Sequence, residues 1–174
     1  IEAQEISFEL LERNVAEASL GERIEAVLGD IRTTDAMGDR RFDLVTGTPP
    51  FMPMGSGTMP ADPQRAAARF ELRGGIEAYC EVAARHLRPG GALSLVMDAE
   101  RSERYERAIA DVGLHLGQVV TVLAREAGPA RYLVYRAGTE AGAVTRRTLA
   151  VRSADGSWTA DFAEIRARLG LVGA

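Results

Sequence analysis

The segment Phe42-Asp43-Leu44-Val45-Thr46-Gly47-Thr48-Pro49-Pro50-Phe51 decides how this chain is read. Phe42 to Thr46 is short, largely apolar and rich in strand-forming residues, and Gly47 and two prolines close it, so it predicts a strand that stops abruptly. Residues 47–64 are rich in Gly, Pro and Met. That is too long for an ordinary connection and predicts a functional loop. Consecutive prolines also have a plainer use, which is simply to end a strand.

Working outward, Ile6, Leu10, Leu11, Val15 and Ala18 recur at helical spacing and predict an amphipathic helix over 4–19 with one face buried. Ile24 to Leu28, ending at Gly29-Asp30, reads as a second strand. Ile76 to Leu87 predicts a helix stopped by Arg88-Pro89-Gly90-Gly91, and Ala92 to Met97 a buried parallel strand. Arg101 to Val112 is a further helix closed by Gly113. Gln118 to Leu123 and Arg131 to Arg136 are strands joined across Gly128-Pro129, hence antiparallel neighbours. Asp155-Gly156 within 149–158 signals a hairpin, and Phe162 to Leu169 a short last helix. Helix and strand alternating, then a hairpin, predict an open α/β sheet with an antiparallel edge hairpin.

With 174 residues, 46% apolar and 26% charged, the chain can bury one core of ordinary size. One domain is expected, with residues 1–140 as its core and 141–174 as a C-terminal hairpin and short helix packed on it. No apolar run approaches the roughly 18 residues of a membrane span, and no leader pattern opens the chain. A cytoplasmic protein with no membrane partner is expected. Cys80 is the only cysteine, so neither a disulfide framework nor a cysteine-based zinc site is available. His86 and His115 lie far from metal-ligand spacing, so no metal is expected, and His86 reads as a helix C-terminal residue favoured by the dipole.

Every basic residue is Arg, and the charge is uneven, −7 over residues 1–100 and +3 over 101–174. Arg125, Arg131, Arg136, Arg146, Arg147 and Arg152 face only Glu126 and Glu140 between residues 120 and 152. Such a face suits phosphate, and it equally suits a solvated surface.

Ligands of open α/β sheets bind beyond the carboxyl ends of the strands, where Thr48-Pro49-Pro50-Phe51 stands. This tetrapeptide resembles the (Asn/Asp/Ser)-Pro-Pro-(Tyr/Phe) motif of S-adenosylmethionine-dependent amino-group methyltransferases. With Asp43-Leu44-Val45, Asp62-Pro63-Gln64-Arg65, Arg69-Phe70-Glu71, Arg88-Pro89-Gly90-Gly91 and Asp155-Gly156-Ser157-Trp158-Thr159, it is most similar to the bacterial tRNA (adenine-N6)-methyltransferases that modify valine tRNA beside the anticodon. The resemblance covers almost the whole chain. It implies a Rossmann-like sheet, S-adenosylmethionine as cofactor and RNA, above all tRNA, as partner.

The resemblance also implies roles. Glu2 binds the cofactor ribose, Asp30 accepts from its adenine amino group with Ile31 alongside, and Thr48 borders it too. Thr48, Pro49, Pro50 and Phe51 form the catalytic motif. Its acceptors bend the target amine toward tetrahedral, the Pro49 carbonyl being available because Pro50 has no N–H, and Phe51 stacks on the base. Arg65 and Arg69 order the substrate loop, or simply pair with Asp62 or Glu71. The sequence departs from the family in two places: Thr48 stands where Asn is usual, and the first strand with its Gly-rich turn is missing. Weak cofactor binding by this chain alone, and a sticky sheet edge prone to homodimerisation, are therefore expected. Two other activities share the motif or fold: a protein glutamine-N5 methyltransferase, and an RNA-binding relative without catalysis.

Overall fold

The computed structural model describes residues 1–33 and 37–171. Five strands form its sheet: β1 (Phe42–Gly47), β2 (Leu87–Asp98), β3 (His115–Arg125), β4 (Ala130–Gly138) and β5 (Thr145–Arg152). Their order across the sheet is β1-β2-β4-β3-β5. β1 and β2 run parallel, β4 is antiparallel to both β2 and β3, and β5 returns parallel to β3. The carboxyl ends of β1, β2, β3 and β5 and the amino end of β4 therefore share one end of the sheet.

Alternation along the inner strands builds the core. Leu93, Leu95 and Met97 of β2 and Leu133, Tyr135 and Ala137 of β4 are buried, together with Val119 of β3. Against them lie α3 (Ile76–His86), through Ile76, Cys80 and Ala83, and α4 (Ser102–Asp111), through Tyr105, Ala108 and Ile109. Each such large apolar side chain contributes about 1.5–3 kcal/mol on burial. α1 (Glu5–Glu17) precedes β1, α2 (Pro63–Arg69) follows it, and α5 (Ala160–Arg168) ends the described chain. His86 is the last residue of α3, and its Nδ1 lies 2.9 Å from the Arg40 carbonyl oxygen.

Several expectations are corrected. The helix near the start forms, but no residue of α1 is buried, because amphipathy states which face should be covered and supplies nothing to cover it. Ile24 to Leu28 is not a strand; among the described residues it makes one parallel bridge, Glu2 with Leu28, and joins no strand of the sheet. α3 stops at His86, ahead of Arg88 to Gly91 as expected, but that stretch lies inside β2 as a bulge, across which the pairing with β1 shifts from Phe42–Leu87 to Leu44–Ala92. Gly90, at φ +76°, gives that bulge its left-handed residue. The expected last hairpin shrinks to a single antiparallel bridge, Arg152 with Trp158. The β3–β4 hairpin sits within the sheet, with β5 outside it.

Trp158 packs on Phe162 of α5, and the guanidiniums of Arg152 and Arg166 lie 3.7 and 4.8 Å from its ring centroid. Among the described residues, no helix is long and apolar enough to cross a membrane. Nor, among them, do three or more His, Cys, Asp or Glu gather to hold a metal ion.

Candidate active site

At the carboxyl end of β1 the chain turns through Thr48, which is exposed, Pro49, which is fully buried, and Pro50, which is half-buried. The next residues are stitched to α2. The Met52 N–H donates to the Arg69 carbonyl at 3.0 Å, and the Met52 carbonyl accepts from the Glu71 N–H at 2.9 Å. α2 is itself capped by the Asp62 carboxylate, which accepts from the Arg65 N–H at 3.0 Å. Glu71 is gripped by Arg104 of α4 through two bonds of 2.8 and 3.0 Å, and the same guanidinium holds Glu77 at 2.7 Å. Those carboxylates push the Arg104 pKa further up. Asp62 and Glu71 thus have partners other than the side chains of Arg65 and Arg69, which are exposed and form no ion pair among the described residues.

Two carboxylates approach from the other side. Glu2 is fixed by its backbone, donating to the Val27 carbonyl and accepting from the Gly29 N–H, each at 2.9 Å. Its Oε1 accepts from the Gln4 N–H at 2.9 Å. Asp30 accepts from the Arg32 N–H and Nε on Oδ1, both at 3.0 Å, and from Nη2 on Oδ2 at 2.6 Å. Arg32 is the main reason its carboxyl titrates below the usual aspartate range, partly opposed by burial.

A cleft of about 250 Å³ is bordered by Glu2, Asp30, Ile31, Thr48 and Pro50. Of the residues singled out in the sequence, these five meet. Pro49, Phe51, Arg65 and Arg69 do not line the cleft. Phe51 packs instead on the core edge and against Tyr132, with ring centroids 6.1 Å apart.

A second, more apolar cavity of about 420 Å³ adjoins the first, sharing Ile1, Ile31 and Tyr79 with it. It lies between the unpaired edge of β1, at Leu44 to Thr46, and Ile1 and Val27 beside the Glu2–Leu28 bridge. The two volumes together are typical of a small-molecule site, about 300–1,000 Å³.

Two lining residues escaped the sequence reading. Tyr79 borders both cavities, and burial, with Glu2 and Asp30 nearby, raises its phenol pKa. Its ring rests on Gly47, where an added Cβ would stand 2.7 Å from Cδ1. Only glycine allows that approach. Arg73 lines the cleft beside Gly74 and adds positive field at Asp30. Neither carries a motif, so helical spacing put Tyr79 on a core face and left Arg73 unremarked.

The chain is 25% identical over 159 residues to the tRNA1(Val) (adenine(37)-N6)-methyltransferase of Shewanella amazonensis, covering 91% of this chain and 67% of that protein. It is 27% identical over 154 residues to the protein of the same name from Aeromonas hydrophila, covering 87% and 62%. This chain thus spans about two thirds of the length of these relatives. In structure it superposes on a predicted O-methyltransferase from Agrobacterium tumefaciens with TM-score 0.68, at 18% identity, over 99% of this chain and 77% of the other. The fold is the Rossmann-like one of that methyltransferase. The type I restriction enzyme EcoKI M protein matches it with TM-score 0.54 at 14% identity, over 96% of this chain and 39% of its own. No family model matches the chain. The methyltransferase resemblance and the Rossmann-like sheet are borne out by these likenesses.

Proposed function

We propose that the protein is a cytoplasmic RNA methyltransferase that moves the methyl group of S-adenosylmethionine to the exocyclic N6 of an adenine in tRNA. The observation that carries the reading is the meeting of Glu2, Asp30 and Thr48, far apart in sequence, around one cleft at the carboxyl end of β1. The curated relatives named for the same reaction on tRNA1(Val) support it.

The cleft suits the nucleoside half of the cofactor. Among the described residues only Oε1 of the Glu2 carboxylate is engaged, by Gln4, which leaves Oε2 for ribose hydroxyls. A carboxylate offers about four lone-pair sites, so Asp30 retains one for an adenine amino group after its three bonds to Arg32. Ile31 and Tyr79 give that base apolar flanks. When bound, the cofactor supplies an electrophilic methyl group on a sulfonium.

The target amine presents the harder problem, because its lone pair is conjugated into the purine ring. The Thr48 hydroxyl, exposed on the cleft wall, is the acceptor at hand, and the buried Pro49 would have to turn its carbonyl toward the cleft to supply the second that bends nitrogen toward tetrahedral. Pro50 has no N–H and both prolines fix φ, so the peptide carrying those acceptors is held rigid. The buried Pro49 ring anchors it to the protein. Phe51 offers a stacking surface for a base unstacked from an RNA loop. Arg65 and Arg69 meet its phosphates. Catalysis is positioning and electrostatics, with no covalent intermediate on the protein.

The test offers the intact protein labelled S-adenosylmethionine together with bulk tRNA and a glutamine-containing release factor. Label is expected in tRNA, at adenine N6. Label in the release factor alone would assign the motif to glutamine-N5 chemistry. In calorimetry, Asp30→Ala and Glu2→Ala are each expected to weaken S-adenosylmethionine binding at least tenfold; unchanged binding by both would remove the cofactor assignment of the cleft.

A further inference from the structure

β4 pairs with β2 so that Tyr132 stands opposite Asp98, at the end of the sheet where β1 delivers Thr48 to Phe51. The Tyr132 ring is half-buried and 6.1 Å from that of Phe51, tilted by 50°, an ordinary aromatic-pair spacing. The Phe51 backbone is tethered from α4's side, its carbonyl 3.5 Å from Arg101 Nη1, and Asp98 receives the same guanidinium at 3.1 Å. Asp98 also accepts from the Tyr105 hydroxyl at 2.7 Å. The aromatic pair is thereby set against a fixed base.

Arg131, the residue before Tyr132, is exposed and forms no ion pair among the described residues. Its guanidinium is 5.7 Å from the Tyr132 ring centroid, near the roughly 6 Å limit of a cation–π contact. Held so loosely, it turns to a phosphate at little cost. On the far side of the motif, Arg69 reaches the sulfur of Met52, the residue after Phe51, at 3.9 Å. Phe51 thus lies between two exposed cations, one on α2 and one on β4. A packing role explains the Phe51–Tyr132 contact, but it does not explain an exposed cation without a counter-charge beside it.

We propose that Tyr132 and Arg131 form a subsite for the nucleotide adjacent to the target adenine, its base stacked on the Tyr132 ring and its phosphate on the Arg131 guanidinium. The inference rests on the RNA reading above and deepens it, because one strand then crosses the motif from α2 to β4. Aromatic stacking tolerates any base. The subsite therefore sets affinity for an unpaired loop and not its sequence.

The test is methyl transfer by the intact protein to a synthetic hairpin RNA with one adenine in its loop, measured over a range of salt concentrations. Tyr132→Leu is expected to raise KM for the hairpin roughly tenfold, the size of one lost base stack, and to change kcat less than KM. Tyr132→Phe restores the KM. Arg131→Gln is expected to raise KM severalfold and to flatten the dependence of log affinity on log salt by about 0.7, one phosphate contact on a single strand. Should the wild type methylate the hairpin while Tyr132→Leu and Arg131→Gln leave KM and salt slope untouched, the subsite is refuted and the RNA reading survives. A wild type that labels a protein amide and no RNA removes both together. If Tyr132→Leu fails to fold, the Arg131→Gln salt slope alone decides.

Discussion

Between α3 and β4, the side chains of Ile76, Cys80, Leu95, Met97, Tyr105 and Ile109 are wholly buried, whereas every described residue among the first 33 is half-buried or exposed. The N-terminal part nevertheless holds both candidate cofactor carboxylates. It leaves Ile6 60% and Leu10 46% exposed, closes its one parallel bridge within itself, and meets the rest through side-chain bonds such as Gln64 Nε2 to Ser7 Oγ and Arg40 Nη1 to Glu25 Oε2. The lesson is a division of labour in which the packed half carries folding free energy and the loosely packed half carries recognition. Regions of few buried contacts open at the lowest cost, and a ligand that bridges the halves stabilises the whole in proportion to its binding.

The sharpest way to break this contrast is in urea. Leu95→Ala, at a fully buried position of β2, is expected to cost about 2–5 kcal/mol, while Leu10→Ala on α1 stays within about 0.5 kcal/mol. Equal losses would mean that α1 is covered in solution. Next in size is Gly47→Ala, which drives a Cβ to within 2.7 Å of the Tyr79 ring. It is expected to cost about 1–3 kcal/mol and to weaken cofactor binding by displacing Tyr79 from the wall of the cleft.

An effect of similar size distinguishes two ion pairs. Arg104→Ala strands Glu71, whose side chain is only 10% exposed, and a loss of about 1–3 kcal/mol is expected. Arg88→Ala breaks a pair with Asp43 whose side chains are 55% and 81% exposed, so under about 1 kcal/mol should be seen. The least effect is the pH response of Asp30. Its pKa is lowered in the folded chain, chiefly by Arg32, so its contribution is fully present above the unfolded aspartate value of about 3.9 and is lost as pH falls through the lower folded one. Asp30→Asn should therefore lower stability by a small constant amount between pH 5 and 8, a deficit that shrinks toward zero as pH falls through the acid limb. No deficit in that neutral range would show that Arg32 does not hold the carboxylate in solution.

Sequence periodicity recovered what the core dictates. β1, α3, α4 and the β3–β4 hairpin follow from alternation and helical spacing, because there the apolar face and its cover are both in the chain. Ile24 to Leu28 has the composition of a strand, yet a strand exists only when a neighbour accepts its hydrogen bonds, and a single bridge is all it finds. Arg88 to Gly91 has the residues that end elements, and in β2 they make a bulge instead. At the site, a recognisable motif led to Glu2, Asp30, Ile31, Thr48 and Pro50, which do share a cleft. Tyr79, Arg73 and Tyr132 reach the same end of the molecule only by tertiary placement. Nothing in their local pattern separates a ring that lines a cavity from one that fills a core.

Trp158 is the only tryptophan in the chain, and it lies between the guanidiniums of Arg152 and Arg166, one strand beyond the hairpin that presents Arg131. Its emission is thus a built-in optical reporter for that end of the sheet. A polyanion that draws either cation away alters the indole's surroundings, so arrival of nucleic acid can be followed by intrinsic fluorescence, without a dye or a label.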